Sequence, residues 1–148
     1  MTKTKLLISA CLVGKNTKYS GGNNLTSFLA ELEERFEFYL ICPEVMGGLP
    51  TPRDPSEQKD GKVFSNQGRD VTFEFETGAQ LALDIALKNN IRLALLKESS
   101  PSCGSKSIYD GTFSGRKIEG EGVAAKLLRE HGIEIYSEKE IPKLLKKI

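Results

Sequence analysis

Hydrophobic residues along the chain follow two alternating patterns. Short apolar runs, over residues 5–10, 38–41, 91–96 and 133–136, have the length and composition of buried strands. Between and after them, apolar residues recur three and four positions apart, which is typical of one face of a helix. This second pattern predicts helices over residues 25–32, 71–89 and 122–131, and a fourth from residue 138 onward.

Polar residues indicate where the helices begin and end. Asn23 or Asn24 can cap the first helix. Ser137, with Glu140 three residues later, forms the pattern of a capping box for the fourth helix. Gly132 suits the end of the third helix. The order of elements is therefore a regular alternation of strand and helix.

This alternation predicts an α/β fold with an open, mostly parallel sheet of four to five strands flanked by helices, Rossmann-like or flavodoxin-like. A chain of 148 residues fits one domain, so residues 1–148 are expected to fold as a single α/β unit. Ligands bind such sheets at the carboxyl edge of the strands. Functional residues are therefore expected in the loops that follow the strands.

Two of these loops are unusually long, over residues 43–69 and 97–120. The first contains four of the six prolines, and neither shows a strand or helix pattern. Irregular segments beyond about 12–15 residues in a compact domain are usually functional or disordered. Both loops are therefore predicted to be irregular and to contribute to a site.

Charge and hydropathy exclude several classes of partner. Lys and Arg number 21 and Asp and Glu 20, so the net charge of +1 gives no global attraction to long nucleic acids or anionic membranes. No run approaches the ~20 apolar residues of a membrane span, and the apolar start after Lys5 is shorter than a signal peptide core of roughly 7–15 residues. We therefore expect a cytoplasmic protein with reduced cysteines.

Each of the three cysteines, Cys11, Cys42 and Cys103, follows an apolar run. At a shared sheet edge they could converge, and an odd number argues against a disulfide framework. A lone cysteine is usually core packing, but three at one edge favour a metal site. Two metal sites remain open: zinc with three ligands and water, or an iron–sulfur cluster with one iron free to bind a small molecule.

Other catalytic motifs are incomplete. The loop after Cys11 is similar to the phosphate loop of small tyrosine phosphatases, but Thr17 and Lys18 stand where their arginine would bind phosphate. His131 is the only histidine and is expected on the surface at a helix end, which leaves no Ser–His or Cys–His pair. No glycine-rich nucleotide motif is present, so NAD, FAD and ATP are not expected.

Polar residues beside the cysteines could add chemistry to a metal site. Glu44 follows Cys42 through the stiff Pro43, and it is either a proton shuttle or an ordinary solvated acid. Near Cys103, Ser102 and Gly104 could hydrogen-bond a negative cofactor, or belong to a common serine-rich turn. Upstream, Lys97 and Glu98 could form a surface ion pair or line the same pocket.

Five segments resemble motifs of the thiouracil desulfurase family, long catalogued as a family of unknown function: residues 8–14, 42–53, 68–72, 97–104 and 108–115. The resemblance covers nearly the whole chain. It implies an oxygen-sensitive [4Fe-4S] cluster held by Cys11, Cys42 and Cys103. It also implies that Glu44 protonates or activates groups at the attacked carbon and that Ser100 helps to place substrate or water.

The resemblance further implies a reaction in which a thiolated pyrimidine such as 2-thiouracil becomes the oxo base and hydrosulfide, without net redox change. The implied partners are a thiolated nucleobase or nucleoside and the iron–sulfur assembly machinery. One position departs from the family pattern, because Ser20 stands where an aspartate is common. Two hypotheses compete with the enzyme: a non-enzymatic sensor or storage protein that uses the same cysteines, and a flavodoxin-like interaction domain.

Overall fold

The structure is a computed structural model that describes residues 3–147. Its strands, in chain order, are β1 (Thr4–Ser9), β2 (Phe36–Ile41), β3 (Ser56–Lys59), β4 (Lys62–Ser65), β5 (Leu93–Leu96), β6 (Ser107–Tyr109), β7 (Lys117–Glu119) and β8 (Glu134–Ser137). Its α-helices are α1 (Leu29–Arg35), α2 (Pro43–Met46), α3 (Thr72–Lys88), α4 (Val123–Glu130) and α5 (Ile141–Leu145). Two short 3₁₀ helices, Ala10–Val13 and Glu138–Glu140, complete the list.

The central sheet has four parallel strands in the order β2-β1-β5-β8. Side chains of β1 alternate between its two faces, as successive residues of a strand must. Leu6 and Ile8 pack with residues of α1 and α5, whereas Leu7 packs with residues of α3 and α4. Helices therefore cover both faces of the sheet, and the predicted open parallel α/β fold is confirmed.

The strand order places the carboxyl ends of β1 and β5 side by side at the centre of the sheet. From β1 the chain crosses to β2 on one side, and it later returns to β5 on the other. A crevice forms where connections diverge in this way, and open α/β sheets bind their ligands there. Cys11 and Cys103 follow these two strands, and Cys42 follows the neighbouring β2.

Most predicted elements agree with the observed ones to within two residues. The third predicted strand starts at Leu93 instead of residue 91, and the long helix α3 is one residue shorter at each end than predicted. The capping box of Ser137 and Glu140 is present, although it opens a 3₁₀ turn before α5. Gly132 follows α4 with a positive φ of 85°, as expected of a glycine at a helix end.

The prediction for the first helix is wrong at its start. The helix begins at Leu29, not near Asn24. The Asn23 side chain accepts a hydrogen bond from the amide of Leu25 at 3.1 Å and closes a local turn instead of capping a helix. Leu25 is 57% exposed and so does not belong to the buried helical face.

Both long loops contain structure that the prediction of irregular segments missed. Residues 43–69 include α2 and the antiparallel hairpin of β3 and β4, and residues 97–120 include the antiparallel pair of β6 and β7. The first hairpin turns at Asp60 and Gly61, whose φ angles of 52° and 79° fit a two-residue turn that Asp-Gly favours. The first hairpin was missed because β3 is entirely polar. The second pair was missed because β6 and β7 have only three residues each.

Within residues 3–147, no helix combines the length and the apolar composition needed to cross a membrane.

Candidate functional site

A cavity of about 590 Å³ opens at the carboxyl edge of the sheet. This volume is within the roughly 300–1,000 Å³ typical of small-molecule sites. Loops after β1, β2 and β5 line one side, and residues of the two hairpins also contribute. The cavity brings together five of the seven predicted site residues: Cys11, Cys42, Glu44, Ser100 and Cys103.

Cys11 lies in the 3₁₀ turn that directly follows β1. The turn ends at Gly14, whose φ of 91° is accessible mainly to glycine. Burial raises the pKa of the Cys11 thiol, a hydrogen bond from Asn24 partly opposes this effect, and the nearby Cys42 raises the pKa further. Cys11 therefore lies close to a second thiol in a partly desolvated position.

Cys42 ends β2 and precedes α2, and its sulfur lies 3.8 Å from the Thr17 carbonyl oxygen in the loop after Cys11. The short helix α2 packs closely on α3 because glycines occupy the contact. A Cβ atom at Gly78 would overlap the Pro43 carbonyl oxygen, and one at Gly47 would overlap the carbonyl oxygen of Glu74. These glycines set the position of Cys42 and of the residues that follow it.

Cys103 is the most buried of the three thiols, with 6% of its surface exposed. Burial raises its pKa to about 12, although a hydrogen bond with Ser9 acts in the opposite direction. The two other cysteines raise its pKa further, since neighbouring thiolates repel each other. A bound metal would offset this cost, because cations keep coordinating thiols deprotonated.

The three thiols suit a cluster of soft metal ions. All three cysteines are free, and sulfur ligands favour iron–sulfur clusters and zinc over harder ions. In the part of the chain that the structure describes, no three His, Cys, Asp or Glu side chains are grouped closely enough to bind a single metal ion. A cluster is bound differently, since each thiolate ligates a separate iron.

The loop that carries Cys103 is organised by the carboxylate of Glu98, which is only 5% exposed. Burial tends to raise the pKa of Glu98, but the hydrogen bonds that it accepts outweigh this effect and lower the pKa. The donors, at 2.9–3.3 Å, are the amides of Ser99, Ser105, Lys106 and Ser107 and the hydroxyl of Ser105. Glu98 thus fixes the turn that places Cys103.

Of the two possibilities for Lys97 and Glu98, the second is observed: both residues line the cavity, and no ion pair forms between their side chains. Lys97 Nζ pairs instead with Glu138 Oε2 at 2.8 Å and donates to the main-chain oxygen of Glu98. The Glu98 carboxylate points to the backbone amides of its own loop, which satisfy it without a cation.

Ser100 lines the cavity, and its hydroxyl oxygen accepts hydrogen bonds from the amides of Ser102 and Cys103, each at 3.0 Å. These bonds fix the backbone at Cys103. The oxygen of Ser100 is engaged by both amides, so the hydrogen of its hydroxyl is the group that can still be donated.

Ser102 and Gly104 do not line the cavity. Ser102 is fully buried, its hydroxyl has no hydrogen-bond partner among the described residues, and its carbonyl accepts from the amides of Ala124 and Ala125 at the start of α4. At Gly104 a Cβ atom would approach the Ser107 carbonyl oxygen to 2.6 Å. Both residues therefore pack the Cys103 loop against its surroundings.

Glu44 lies in the first turn of α2 and lines the cavity beside the thiols. Its carboxylate accepts a hydrogen bond from Arg53 Nε at 3.1 Å, with 15% of the Glu44 side chain exposed and 6% of the Arg53 side chain. Burial raises the pKa of Glu44, and the charge and hydrogen bond of Arg53 oppose this effect. The result is a desolvated carboxyl held in place by one buried cation.

Arg53 is the main site residue that sequence reasoning missed. Besides Glu44, its guanidinium donates to the carbonyl oxygens of Thr17 at 2.9 Å and Pro50 at 3.2 Å, and to the hydroxyl of Thr51 at 3.0 Å. It therefore joins the loop after Cys11 to the segment after Cys42. One signal in the sequence could have identified Arg53, since it is an arginine inside the motif of residues 42–53. The prolines of that segment have no N–H group, so several carbonyl oxygens there need another donor.

The fold and the site together define a class: an open parallel α/β protein with three free thiols and a buried carboxyl at the carboxyl edge of its sheet. The model of the 2-thiouracil desulfurase family matches residues 6–140. The chain belongs to the 2-thiouracil desulfurase family.

Two individual proteins resemble the chain over nearly its whole length. A Bacillus subtilis (strain 168) protein named "Uncharacterized protein YbbK" is 39% identical, over 95% of this chain and 99% of that protein. A solved structure of a [4Fe-4S]-dependent thiouracil desulfidase, TudS, shares 48% identity, with a TM-score of 0.90 over 96% of this chain and 95% of that one.

Proposed function

We propose that this protein is an iron–sulfur-dependent desulfurase that removes sulfur from 2-thiouracil or a closely related thiolated pyrimidine. The observation that carries the proposal is the placement of three free thiols and Glu44 around one cavity. The family membership and the 48% identity to a thiouracil desulfidase support the same conclusion. Water would replace the sulfur, so that the products are the oxo base and hydrosulfide and no net electron transfer is needed.

In this proposal Cys11, Cys42 and Cys103 hold a [4Fe-4S] cluster. With three thiolates, the cluster supplies one iron with an open position, a Lewis acid that prefers the soft sulfur of a thiocarbonyl group. The raised pKa values of Cys11 and Cys103 mean that binding the cluster displaces protons from these thiols.

Glu44 is proposed to move the protons of the reaction. Replacement of the thiocarbonyl sulfur by oxygen requires the attacking water to lose both of its protons, one of which reaches the departing sulfur to give hydrosulfide. A carboxyl whose pKa is raised by burial can act in both directions, since it gains and loses a proton at a milder pH than a solvated acid. Arg53 limits its rotation, because one carboxylate oxygen is bound at 3.1 Å.

Ser100 is proposed to donate its hydroxyl hydrogen to the substrate or to the attacking water, since both amide bonds engage only its oxygen. Ser102 and Gly104 are proposed to serve the cofactor through the loop that holds Cys103. The tight contacts of Gly104 and the burial of Ser102 leave that loop little freedom.

We further propose that residues 1–148 act as one domain in the cytoplasm and receive their cluster from the iron–sulfur assembly machinery. Reduced cysteines and a sheet edge built from one continuous chain support this setting. Free thiolated bases or nucleosides suit the cavity volume, whereas the net charge of +1 offers little attraction for a long nucleic acid.

Anaerobic reconstitution with iron and sulfide tests the proposal. The expected product is a brown protein with about four irons per chain, which converts 2-thiouracil to uracil and releases sulfide. A protein that binds the cluster but leaves 2-thiouracil and its nucleoside intact would instead be a sensor or storage protein. A colourless protein that binds one zinc ion tightly would contradict both the cofactor and the reaction.

A further inference from the structure

The turn between β6 and β7 belongs to a motif, residues 108–115, that the proposed chemistry does not use. This turn nevertheless reaches the cavity. Tyr109, Phe113, Gly115 and Lys117 all line it, together with the thiols and Glu44. The cavity therefore has a second side, built by a hairpin that supplies no sulfur ligand and carries two aromatic rings.

Glu57 of the first hairpin holds this turn. Its side chain is buried, and one carboxylate oxygen accepts hydrogen bonds from the amides of Gly111 at 3.0 Å and Phe113 at 3.1 Å. The neighbouring Gln58 donates to the carbonyl oxygens of Pro101 and Glu121, each at 2.9 Å. The two hairpins are thus connected to each other and to the loop of Cys103.

The backbone of Phe113 shows that this turn is held in an unfavourable conformation. Its φ of 56° lies in the left-handed region, which a bulky residue seldom adopts. Such conformations persist where the surroundings determine them, and they are concentrated at binding sites. The hydrogen bond to Glu57 is the contact that supports the Phe113 amide. Phe113 is also 37% exposed, although it is large and apolar.

We infer that Tyr109 and Phe113 form an aromatic wall that binds the flat face of the substrate ring, and that Glu57 is the positioning residue that holds Phe113 there. This inference rests on the proposed function. Flat heterocycles stack on aromatic side chains regardless of their exact substituents. The Lys117 ammonium, 5.6 Å from the centre of the Tyr109 ring, restrains that ring from the side of β7.

The wall assigns separate roles to the two sides of the cavity. On the sheet side the thiols hold the cluster and Glu44 serves the reacting carbon–sulfur group, whereas the aromatic wall determines which rings enter. Loss of the wall should therefore raise KM and leave kcat nearly unchanged, because it removes binding common to the ground state and the transition state.

The first test replaces Phe113. Phe113→Gly removes the ring and relaxes the backbone, since glycine accepts positive φ, so it should not unfold the turn. We expect KM for 2-thiouracil to rise at least tenfold, kcat to stay within twofold, and iron and sulfide content to remain unchanged. Phe113→Tyr should restore a near-normal KM. Ile118→Ala, at a similarly exposed apolar residue of β7 outside the cavity, is the matched control and should change neither constant.

The second test concerns Glu57. Glu57→Ala should accelerate hydrogen exchange at the amides of Gly111 and Phe113 at least tenfold and raise KM as Phe113→Gly does. Glu57→Gln keeps an oxygen acceptor and should lie between the wild type and Glu57→Ala in both measurements. Faster exchange with an unchanged KM would overturn the positioning role, because the carboxylate would then support only the fold of the hairpins.

Binding of uracil, measured by titration calorimetry on the reconstituted protein, separates this inference from the proposed reaction. If 2-thiouracil and uracil bind but no sulfide is released, the proposed function is wrong. The binding role of the aromatic wall is then still supported if Phe113→Gly weakens binding of both rings tenfold. If Phe113→Gly desulfurises 2-thiouracil with an unchanged KM, the aromatic wall does not bind the substrate ring and the proposed function still holds. A wild-type protein that binds neither ring overturns the inference.

Discussion

The two sides of the cavity are built by different means. On the sheet side, buried apolar strands such as β1 and β5 lead into loops whose residues line one cavity. On the hairpin side, strands β3 and β7 are largely polar or exposed, and buried polar groups such as Glu57 hold them in place. The difference indicates that the sheet sets the positions of the three thiols, the proposed cluster ligands, whereas the hairpins shape the space above them.

The largest effect should come from the sheet side. Cys103→Ala removes the most buried thiol, so we expect iron content to fall to background and thiouracil turnover to be lost. Alanine is small and apolar, so the fold should persist, and circular dichroism checks this. A Cys103→Ala variant that keeps about four irons per chain would contradict this division, because the cluster would then not depend on the loop that follows the central strand β5.

Glu44→Gln tests proton transfer separately from cluster binding, again on the sheet side of the cavity. The amide keeps the shape of the carboxyl but cannot transfer a proton, so turnover should fall by about 10²–10⁴-fold with iron content unchanged. Steady-state kinetics and iron analysis check the two parts. Glu119→Gln on the exposed strand β7 is the matched control and should behave as the wild type. Loss of iron in Glu44→Gln would make Glu44 a structural residue.

The elements that the sequence predicted correctly are those whose signal is local. The strands of the sheet and helix α3 bury continuous or periodic apolar positions, such as Phe75 and Leu83, and these patterns are visible along the chain. The hairpins lack such a pattern. Their pairing depends on backbone hydrogen bonds and on the Asp60–Gly61 turn, a short signal within a stretch that contains many prolines and glycines.

The residues of the site also divide into those with a local signal in the sequence and those without one. The cysteines and Glu44 were predicted because each follows a strand, and a shared sheet edge is a property of the fold class. Glu57 was missed because its partner, the amide of Phe113, is distant in sequence, and no pattern within a single segment contains both members of such a contact. Arg53 was missed although Glu44 lies in the same motif, because the fold, and not the motif, shows that the two side chains meet.

Arg53→Lys tests the contact that joins the loops of two cysteines. A lysine cannot reproduce four hydrogen bonds to separate segments, so we expect turnover to fall roughly 10- to 100-fold and the free energy of unfolding to fall by about 2–4 kcal/mol. Thermal or urea unfolding and kinetics measure both. Arg69→Lys is the control, since Arg69 is exposed and its guanidinium pairs with Glu74 on the surface, and its cost should stay below about 1 kcal/mol.

Glu98→Gln weakens the loop that carries the third thiol without touching the thiol itself. Amide-to-carboxylate bonds are stronger than neutral ones, so we expect a loss of about 1.5–3 kcal/mol near pH 7. The pKa of Glu98 is lowered in the folded protein, so its contribution is complete above the usual value of 4.5 and disappears as the pH falls through the folded value. The stability gap between wild type and variant should therefore close on acidification.

Urea unfolding at several pH values measures this gap, and Glu76→Gln on the exposed side of α3 is its control. A gap that widens on acidification would mean that the carboxyl is not the charged acceptor of this loop. A drop in iron retention alongside the lost stability would show that the Glu98 loop, and not only the strand end, sets the position of Cys103.

Gly61→Ala should have the smallest effect and acts purely on the hairpin side. Gly61 has a φ of 79° and free space around the position of a Cβ atom, so alanine introduces backbone strain of about 1 kcal/mol without a clash. Gly22→Ala, where φ is not in the left-handed region, is the control and should cost nothing. We expect unchanged iron content and a modest rise in KM. Iron loss in Gly61→Ala alone would show that the hairpins also hold the cluster, and that the two sides of the cavity are less separate than their construction suggests.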